Sequence, residues 1–141
     1  MTERLHASCV ALGDAGVLLT GAAGAGKSTA ALRLIALGAE LVADDQVELS
    51  RAGERVLARP PAAIAGRIEA RGIGILRMAH RAEVALAVVV DLDTIELRRL
   101  PPARECRLAG VPLPLIHGRG LPDLAAALVA WLGRGAEREP G

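Results

Sequence analysis

One stretch of this chain has the residue types and spacing of a phosphate-binding loop. Residues 21–28 read Gly-Ala-Ala-Gly-Ala-Gly-Lys-Ser and match the pattern Gly-x-x-x-x-Gly-Lys-[Ser/Thr] at every required position. The glycines allow backbone conformations that aim successive N–H groups inward as an anion nest. The serine hydroxyl at the last position can complete the coordination shell of Mg²⁺. The stretch therefore predicts a site for nucleotide phosphates.

Lys27 is the only lysine in the sequence, and every other basic residue is an arginine or a histidine. The narrow ammonium tip of lysine can reach β- and γ-phosphate oxygens inside a ring of backbone N–H groups, where the planar guanidinium is too broad. A single lysine at this position favours a phosphate contact. We expect the nucleotide phosphates to lie on Gly21, Ala22, Ala23, Gly24, Ala25, Gly26, Lys27, Ser28 and Thr29.

A pair of acidic residues, Asp44 and Asp45, ends a short apolar segment sixteen residues beyond Ser28. Because successive side chains of a strand point to opposite faces, the two carboxylates are expected to have different roles. One can orient Mg²⁺, directly or through water, and the other can take a proton from a nucleophile or position a water. The alternative is structural, since an Asp pair after a strand often caps a turn.

Two further places in the sequence are candidates for chemistry. His6 lies early in the predicted first strand, where a lone histidine is more often structural than catalytic. Glu69 and Arg71 come just before Gly72-Ile73-Gly74. A carboxylate, a guanidinium and two glycines at this spacing suggest backbone that approaches a ligand, although an ordinary turn has the same spacing.

Hydrophobic spacing predicts the elements that position these residues. Residues 5–12 and 17–20 read as strands, the second ending at the glycine loop, and residues 27–37 read as a helix that Gly38 stops. Strand, loop and helix in this order are the context that the motif requires. The other predicted elements are a strand at 41–43, a hairpin of 46–50 with 55–58, a short helix or turn near 62–66, a buried strand at 84–92, two short strands within 93–120, and a helix at 121–132 with Pro122 in its first turn.

Composition narrows the classes of partner. The 141 residues suit one domain at 1–134 with a flexible tail at 135–141, and the net charge is only +1. Aromatic residues make up 1%, so base-stacking platforms are missing and nucleic acid is not an expected partner. The longest apolar runs fall short of the ~20 residues of a membrane span. Two cysteines make no disulfide framework, which favours the reducing cytoplasm.

Several segments, in order along the chain, resemble the catalytic domain of bacterial HPr kinase/phosphorylase. They cover about residues 5–78, and the last is similar to the family's Glu-Ile-Arg-Gly-Leu-Gly-Ile signature. The segments are His6, Gly-Val-Leu-Leu-Thr-Gly at 16–21, Leu-Val-Ala-Asp-Asp-Gln-Val-Glu at 41–48, Arg-Pro-Pro at 59–61 and Ile-Glu-Ala-Arg-Gly-Ile-Gly-Ile at 68–75.

The resemblance implies an α/β P-loop fold akin to phosphoenolpyruvate carboxykinase, with a mixed sheet and few helices. The chain starts at the catalytic strand, so we expect a short form that lacks the N-terminal domain. The implied reaction transfers a phosphoryl group from ATP, or pyrophosphate, to a serine of the small phosphocarrier protein HPr, and inorganic phosphate reverses it. For this short form the carrier is expected to be HPr-like and to belong to a regulatory phosphorelay.

The resemblance also implies a role for each site residue. Asp45 would be the base that takes the serine proton, and Lys27 would bind phosphate. Asp44 would lie beside Asp45, and His6 becomes an active-site residue. The implied catalytic set is His6, Lys27, Asp44, Asp45 and Arg99, and the implied Mg²⁺ ligands are Ser28, Asp44 and Glu69.

Two rival functions stay open. One is a regulatory module that senses ATP without catalysis, favoured by a family arm shortened to about residues 93–110 and by Val-Pro-Leu-Pro-Leu-Ile at 111–116 in place of the family's Arg-Pro-Gly-Arg stretch. The other, a small-molecule kinase, is weaker because the chain has no obvious lid. Assembly into a homo-oligomer is also left open.

Overall fold

The protein is described by a computed structural model over residues 2–141, in which one mixed α/β unit has few helices, as the resemblance implied. Over this range the helices are α1 (Lys27–Ala36) and α2 (Leu124–Leu128), with a 3₁₀ turn at Ala62–Ile64 and a π-helical turn at Val129–Gly133. The strands are β1 (Thr2–Leu5), β2 (Ser8–Leu12), β3 (Ala15–Thr20), β4 (Glu40–Ala43), β5 (Val47–Ala52), β6 (Arg55–Arg59), β7 (Arg67–Ala70), β8 (Gly74–Arg77), β9 (Val84–Asp91), β10 (Glu105–Leu108) and β11 (Val111–His117).

Strand β9 is the centre of a nine-stranded mixed sheet. On one side it pairs in parallel with β3. On the other side the first residues of β9 pair antiparallel with β6, and its last residues pair in parallel with β11. The main path runs β1-β5-β6-β9-β3-β2-β4, while β7 and β8 form a separate hairpin. The continuous apolar run of β9, with valine at 84 and 88–90, suits a strand enclosed on both faces.

The strand directions bring several chain segments to one edge of the sheet. Strands β3, β9 and β11 are parallel, so their carboxyl ends meet at the same edge. Strand β2 is antiparallel to both β3 and β4, so its first residue and the last residue of β4 lie there too. Ligands of open α/β sheets bind at such an edge. The glycine loop after β3 and the acidic pair after β4 are therefore neighbours.

Alternation along the strands divides the core between two faces of the sheet. One face, which includes Val17 and Leu19, packs under α1 and α2 and contacts Leu34 of α1. The other face is enclosed by β5, β6, β10 and β11 and includes Leu18 and Val89. Because the curled sheet covers its own second face, the protein needs only two short helices.

Helix α1 ends where the sequence predicts, within one residue. The Gly38 N–H donates to the Ile35 carbonyl and the Ala39 N–H donates to the Leu34 carbonyl, both at 3.0 Å. This is the Schellman arrangement, and it needs a left-handed residue at Gly38, whose φ is 110°. The cap returns the chain directly into β4.

One predicted strand is wrong, and one predicted helix is confirmed with a late start. Residues 5–12 are two strands: β1 pairs only with β5, β2 pairs with β3 and β4, and His6 lies in the break between them. The predicted helix at 121–132 begins at Leu124, after Pro122, and widens into a π-helical turn at Val129–Gly133. Asp123, the residue before the helix, has φ −109° and ψ 24°, outside helical values, so the helix begins one residue later.

The other predicted elements are confirmed with shifts of a few residues. The hairpin is β5 with β6, the buried strand is β9, the turn near 62–66 is the 3₁₀ turn, and the segment 93–120 contains β10 and β11. Neither helix within residues 2–141 has the length and apolar character of a bilayer-crossing helix. The division of the chain at residue 134 stays a prediction.

Leu34 and Leu37 test whether α1 is held by its buried face. Leu34 is 1% exposed and packs on the sheet, whereas Leu37 is 52% exposed. Because it empties a closed site, Leu34→Ala is expected to lower the free energy of unfolding by about 2–5 kcal/mol in urea denaturation. Leu37→Ala, the matched control, should change it by less than about 1 kcal/mol. Equal losses in the two variants would contradict this packing.

Candidate active site

The glycine loop wraps around the amino end of α1. Gly24 and Gly26 adopt φ values of 86° and 97°, which L side chains rarely occupy. The first helical hydrogen bond runs from the Ala30 N–H to the Gly26 carbonyl at 2.9 Å. Lys27 is 8% exposed, and its Nζ donates to the carbonyls of Gly21 at 2.6 Å and Ala22 at 3.1 Å. The ammonium group is thus held over the loop that the sequence assigns to phosphates.

Asp44 is a buried hydrogen-bond acceptor that joins four elements. It is 6% exposed, and its Oδ1 accepts from Ser8 Oγ at 2.6 Å and from Ser28 Oγ at 2.8 Å. Its Oδ2 accepts from Ser28 Oγ at 3.0 Å and from the Glu69 N–H at 3.0 Å. These bonds fix the end of β4 against β2, α1 and β7.

Asp45 points elsewhere, as the sequence predicts. The Gln46 N–H donates to the Asp44 carbonyl at 2.8 Å and closes a three-residue turn in which Asp45 has φ 70°. Such a γ-turn is rare and strained, and Asp is one of the few residues that tolerate it. The Asp45 carboxylate is 64% exposed and lies 3.4 Å from His6 Nδ1. Asp44 is therefore structural in its bonding, while Asp45 is free to meet a second molecule.

A cleft of about 290 Å³ joins the loop to these acidic residues. It brings together most of the residues singled out from the sequence, and Asp44 lies directly behind it, bonded to three of its lining residues. Arg99 lies in the loop after β9, is exposed, and is not among the lining residues. The lining residues are His6, Ser8, Ala23, Gly24, Gly26, Lys27, Ser28, Thr29, Asp45, Glu69 and Arg71.

Two residues of the site were not singled out from the sequence. Ser8 is fully buried and donates to Asp44 across 36 residues of chain. Both Oδ1 and Oδ2 of Asp93 accept from the Ala22 N–H at 3.0 Å, so this carboxylate holds the start of the glycine loop. The only local signal for Asp93 was its position just after the most hydrophobic strand, beside the loop strand.

The segment after β9 is fixed by its own acidic residues. Glu96 accepts two hydrogen bonds from Arg104, at 2.9 and 3.0 Å, and this pairing lowers the pKa of Glu96 below its usual value. Burial alone would raise the pKa of Asp91, but hydrogen bonds from the Thr94 hydroxyl and the Asp93 N–H lower it. The Asp91 bonds fix the turn that contains Asp93, whose carboxylate contacts the glycine loop.

The donor set of the cleft suits Mg²⁺ better than a transition metal. Ser28 Oγ lies between the Asp44 oxygens and the cleft, and Glu69 lines the same cleft. No group of three or more His, Cys, Asp or Glu side chains placed for a metal occurs within residues 2–141. Mg²⁺ is usually held by one or two carboxylates, waters and substrate phosphates. The hydroxyl of Ser28 and the carboxylate of Glu69 fit Mg²⁺ in type and number.

Matched Asn variants of the acidic pair test their different bonding. Asp44→Asn turns one buried acceptor into a donor that faces other donors, so it is expected to cost about 1–3 kcal/mol of unfolding free energy. Asp45→Asn is exposed and keeps a residue type that tolerates positive φ, so its cost should stay within about 0.5 kcal/mol. Urea denaturation measures both free energies of unfolding. Similar losses in the two variants would contradict the role of Asp44 as a buried hydrogen-bond acceptor.

The Glu96–Arg104 pair predicts a pH dependence. Because the pKa of folded Glu96 is lowered, its stabilising effect is present above the pKa of the unfolded chain and is lost as pH falls through the folded value. Glu96→Gln should therefore be less stable than the wild type at pH 7, and the gap should narrow on acidification. Thermal unfolding across pH 7 to about 3 measures this; a constant gap would count against the ion pair.

Comparison with known proteins identifies the family of this chain and its fold. Residues 1–97 match the family model described as HPr Serine kinase C-terminal domain. HPr kinase/phosphorylase of Aromatoleum aromaticum is 42% identical over 133 residues, covering 81% of this chain and 42% of that protein. HPr kinase/phosphorylase of Alkaliphilus metalliredigens is 44% identical over 96 residues, covering 67% of this chain and 31% of that protein.

A solved structure shows the same architecture. The Hpr(Ser) kinase/phosphatase from Coxiella burnetii superposes with a TM-score of 0.78 at 27% identity, covering 94% of this chain and 95% of that one. The chain spans less than half the length of the two curated relatives. With the sequence match and the shared fold in agreement, this chain belongs to the HPr serine kinase C-terminal domain family.

Proposed function

We propose that this protein is a Mg²⁺- and ATP-dependent protein-serine kinase that phosphorylates an HPr-like phosphocarrier protein. The observation that carries the proposal is the single cleft that contains both the glycine loop with Lys27 and the exposed carboxylate of Asp45. A phosphoryl donor and a proton acceptor are needed within one site for transfer to a hydroxyl. The name of the relatives, HPr kinase/phosphorylase, supports an HPr-like protein as the acceptor of the phosphoryl group.

Phosphate binding would use groups that are already positioned. Backbone N–H groups of the loop and the amino end of α1 attract the phosphates of ATP. Lys27 Nζ, now bonded to two loop carbonyls, would exchange these bonds for bonds to β- and γ-phosphate oxygens. Positive charge placed there before reaction stabilises the charge that develops on the transferring group.

Asp45 would act on the acceptor. Its carboxylate takes the proton from the serine hydroxyl of the carrier, the serine oxygen bonds to the γ-phosphorus, and the bond to the bridging oxygen of ADP breaks. His6, 3.4 Å from Asp45, would orient that carboxylate. In reverse, Asp45 returns the proton to serine while inorganic phosphate accepts the phosphoryl group and leaves as pyrophosphate.

The Mg²⁺ ion would be held by Ser28 and Glu69, with Asp44 bonded behind Ser28. When bound, it neutralises charge on the β- and γ-phosphates. Asp44 accepts the hydrogen bond of the Ser28 hydroxyl and so fixes it for this purpose. The role of Arg99, which is not among the residues lining the cleft, stays a prediction from the resemblance.

Transfer from labelled ATP to purified HPr-like carrier tests the proposal. Asp45→Asn should lower the transfer rate by about 10²-fold or more, as expected for loss of a general base, and leave ATP affinity nearly unchanged. Lys27→Ala, in contrast, should lower both the transfer rate and the affinity for ATP. Asp14→Asn, a highly exposed carboxylate outside the cleft, is the control and should behave as the wild type.

Full transfer by Asp45→Asn would remove the base assignment. ATP binding without transfer to any carrier by the wild type would instead select the non-catalytic ATP-sensing module. In that case Asp44 would serve only to fix Ser28 at the start of α1, and a partner would read the bound state.

A further inference from the structure

A second and larger cavity adjoins the glycine loop. It measures about 680 Å³ and lies between α1 and the segment 118–126, which includes most of α2. It shares Gly26 and Thr29 with the cleft and has none of the acidic residues of the cleft in its wall. The first turn of α1 thus lies between two cavities, of which only the cleft is lined by Asp45.

The direction of phosphoryl transfer decides what the second cavity can contain. A nucleoside triphosphate on the loop must turn its γ-phosphate toward Asp45, where the acceptor serine loses its proton. Its α-phosphate and nucleoside must then leave the loop in another direction. Thr29, one residue beyond Ser28, stands where the two cavities join.

We infer that this second cavity binds the nucleoside of ATP, base and ribose together. The inference rests on the proposed function, because it takes the γ-phosphate end from the placement of Asp45. The volume lies within the range of about 300–1,000 Å³ that small-molecule sites occupy. Continuity with the phosphate loop distinguishes this cavity from the neighbouring one of about 570 Å³ around Trp131, which none of the loop residues lines.

The walls suit a base without aromatic stacking. Ala25, Ala30 and Leu92 supply aliphatic surface, and no lining residue of this cavity is aromatic. Arg33 and Arg119 line the same space, and a guanidinium plane can lie over an aromatic ring as a cation–π contact. The only tryptophan, Trp131, lines the other cavity, so aliphatic side chains and the two arginines would hold the purine here.

Gly118 lets the far wall approach the sheet. A Cβ at this position would lie 2.6 Å from Val90 Cγ1 and 3.3 Å from Leu124 Cδ2. The Gly118 N–H donates to the Asp91 carbonyl at 2.8 Å, and the Arg119 N–H donates to the Thr94 carbonyl at 3.1 Å. The turn after β11 is thereby fixed to the turn after β9, so the cavity has a preformed wall.

Neighbouring alanines of α2 provide matched variants. Ala126 is exposed and lines the second cavity, whereas Ala127 is also exposed but lines the cavity around Trp131 and not the second one. Calorimetry with Mg²⁺–ATP and with Mg²⁺–tripolyphosphate separates nucleoside from phosphate binding. Ala126→Trp should weaken ATP binding by about tenfold or more and change tripolyphosphate binding by less than about twofold. Ala127→Trp should change neither.

Two further variants complete the test. Arg33→Ala, which needs no added volume, should weaken ATP more than tripolyphosphate, so the inference does not depend on the folding of Ala126→Trp. Lys27→Ala should weaken both ligands. If Ala126→Trp and Arg33→Ala bind ATP as the wild type does, or lose both ligands equally, the nucleoside lies elsewhere while the phosphate site stands. A wild type that binds neither ligand would overturn the proposed function itself.

Discussion

The Asp44 carboxylate is the constraint on which the rest of the site depends. A charged group at 6% exposure is stable only when donors surround it, and here two hydroxyls and one backbone N–H do so. Those donors come from β2, α1 and β7, elements that are distant along the chain. Satisfying one buried charge therefore positions the serine at the helix start, the strand that follows His6 and the backbone of Glu69 at the same time.

The local parts of this site could be predicted from the sequence because their signals are local. The loop, the helix behind it and the Gly38 cap depend on glycine positions within a few residues of one another, and all were predicted. The different directions of Asp44 and Asp45 were also expected, although the cause is a γ-turn rather than strand alternation. Membership of the family followed from ordered segments, each too short to be specific alone.

The non-local parts could not be predicted in the same way. Ser8 and Asp93 act on partners 36 and 71 residues away, and nothing near them in sequence marks those partners. The break at His6 was missed because residues 5–12 are compatible with one strand, and only pairing with β5 separates the first part. The late start of α2 shows that an alanine-rich run specifies a helix but not its boundary.

Lys27 has hydrogen-bond acceptors within the glycine loop itself. Its ammonium group is satisfied by the Gly21 and Ala22 carbonyls, so an arriving anion competes with the protein's own oxygens. Anion binding therefore exchanges the hydrogen-bond acceptors of Lys27 Nζ, and two neutral carbonyl oxygens give way to charged oxygens. A singly charged anion gains little from that swap, whereas a polyphosphate with several charges gains much more. Selectivity for highly charged ligands is in this way present before any ligand arrives.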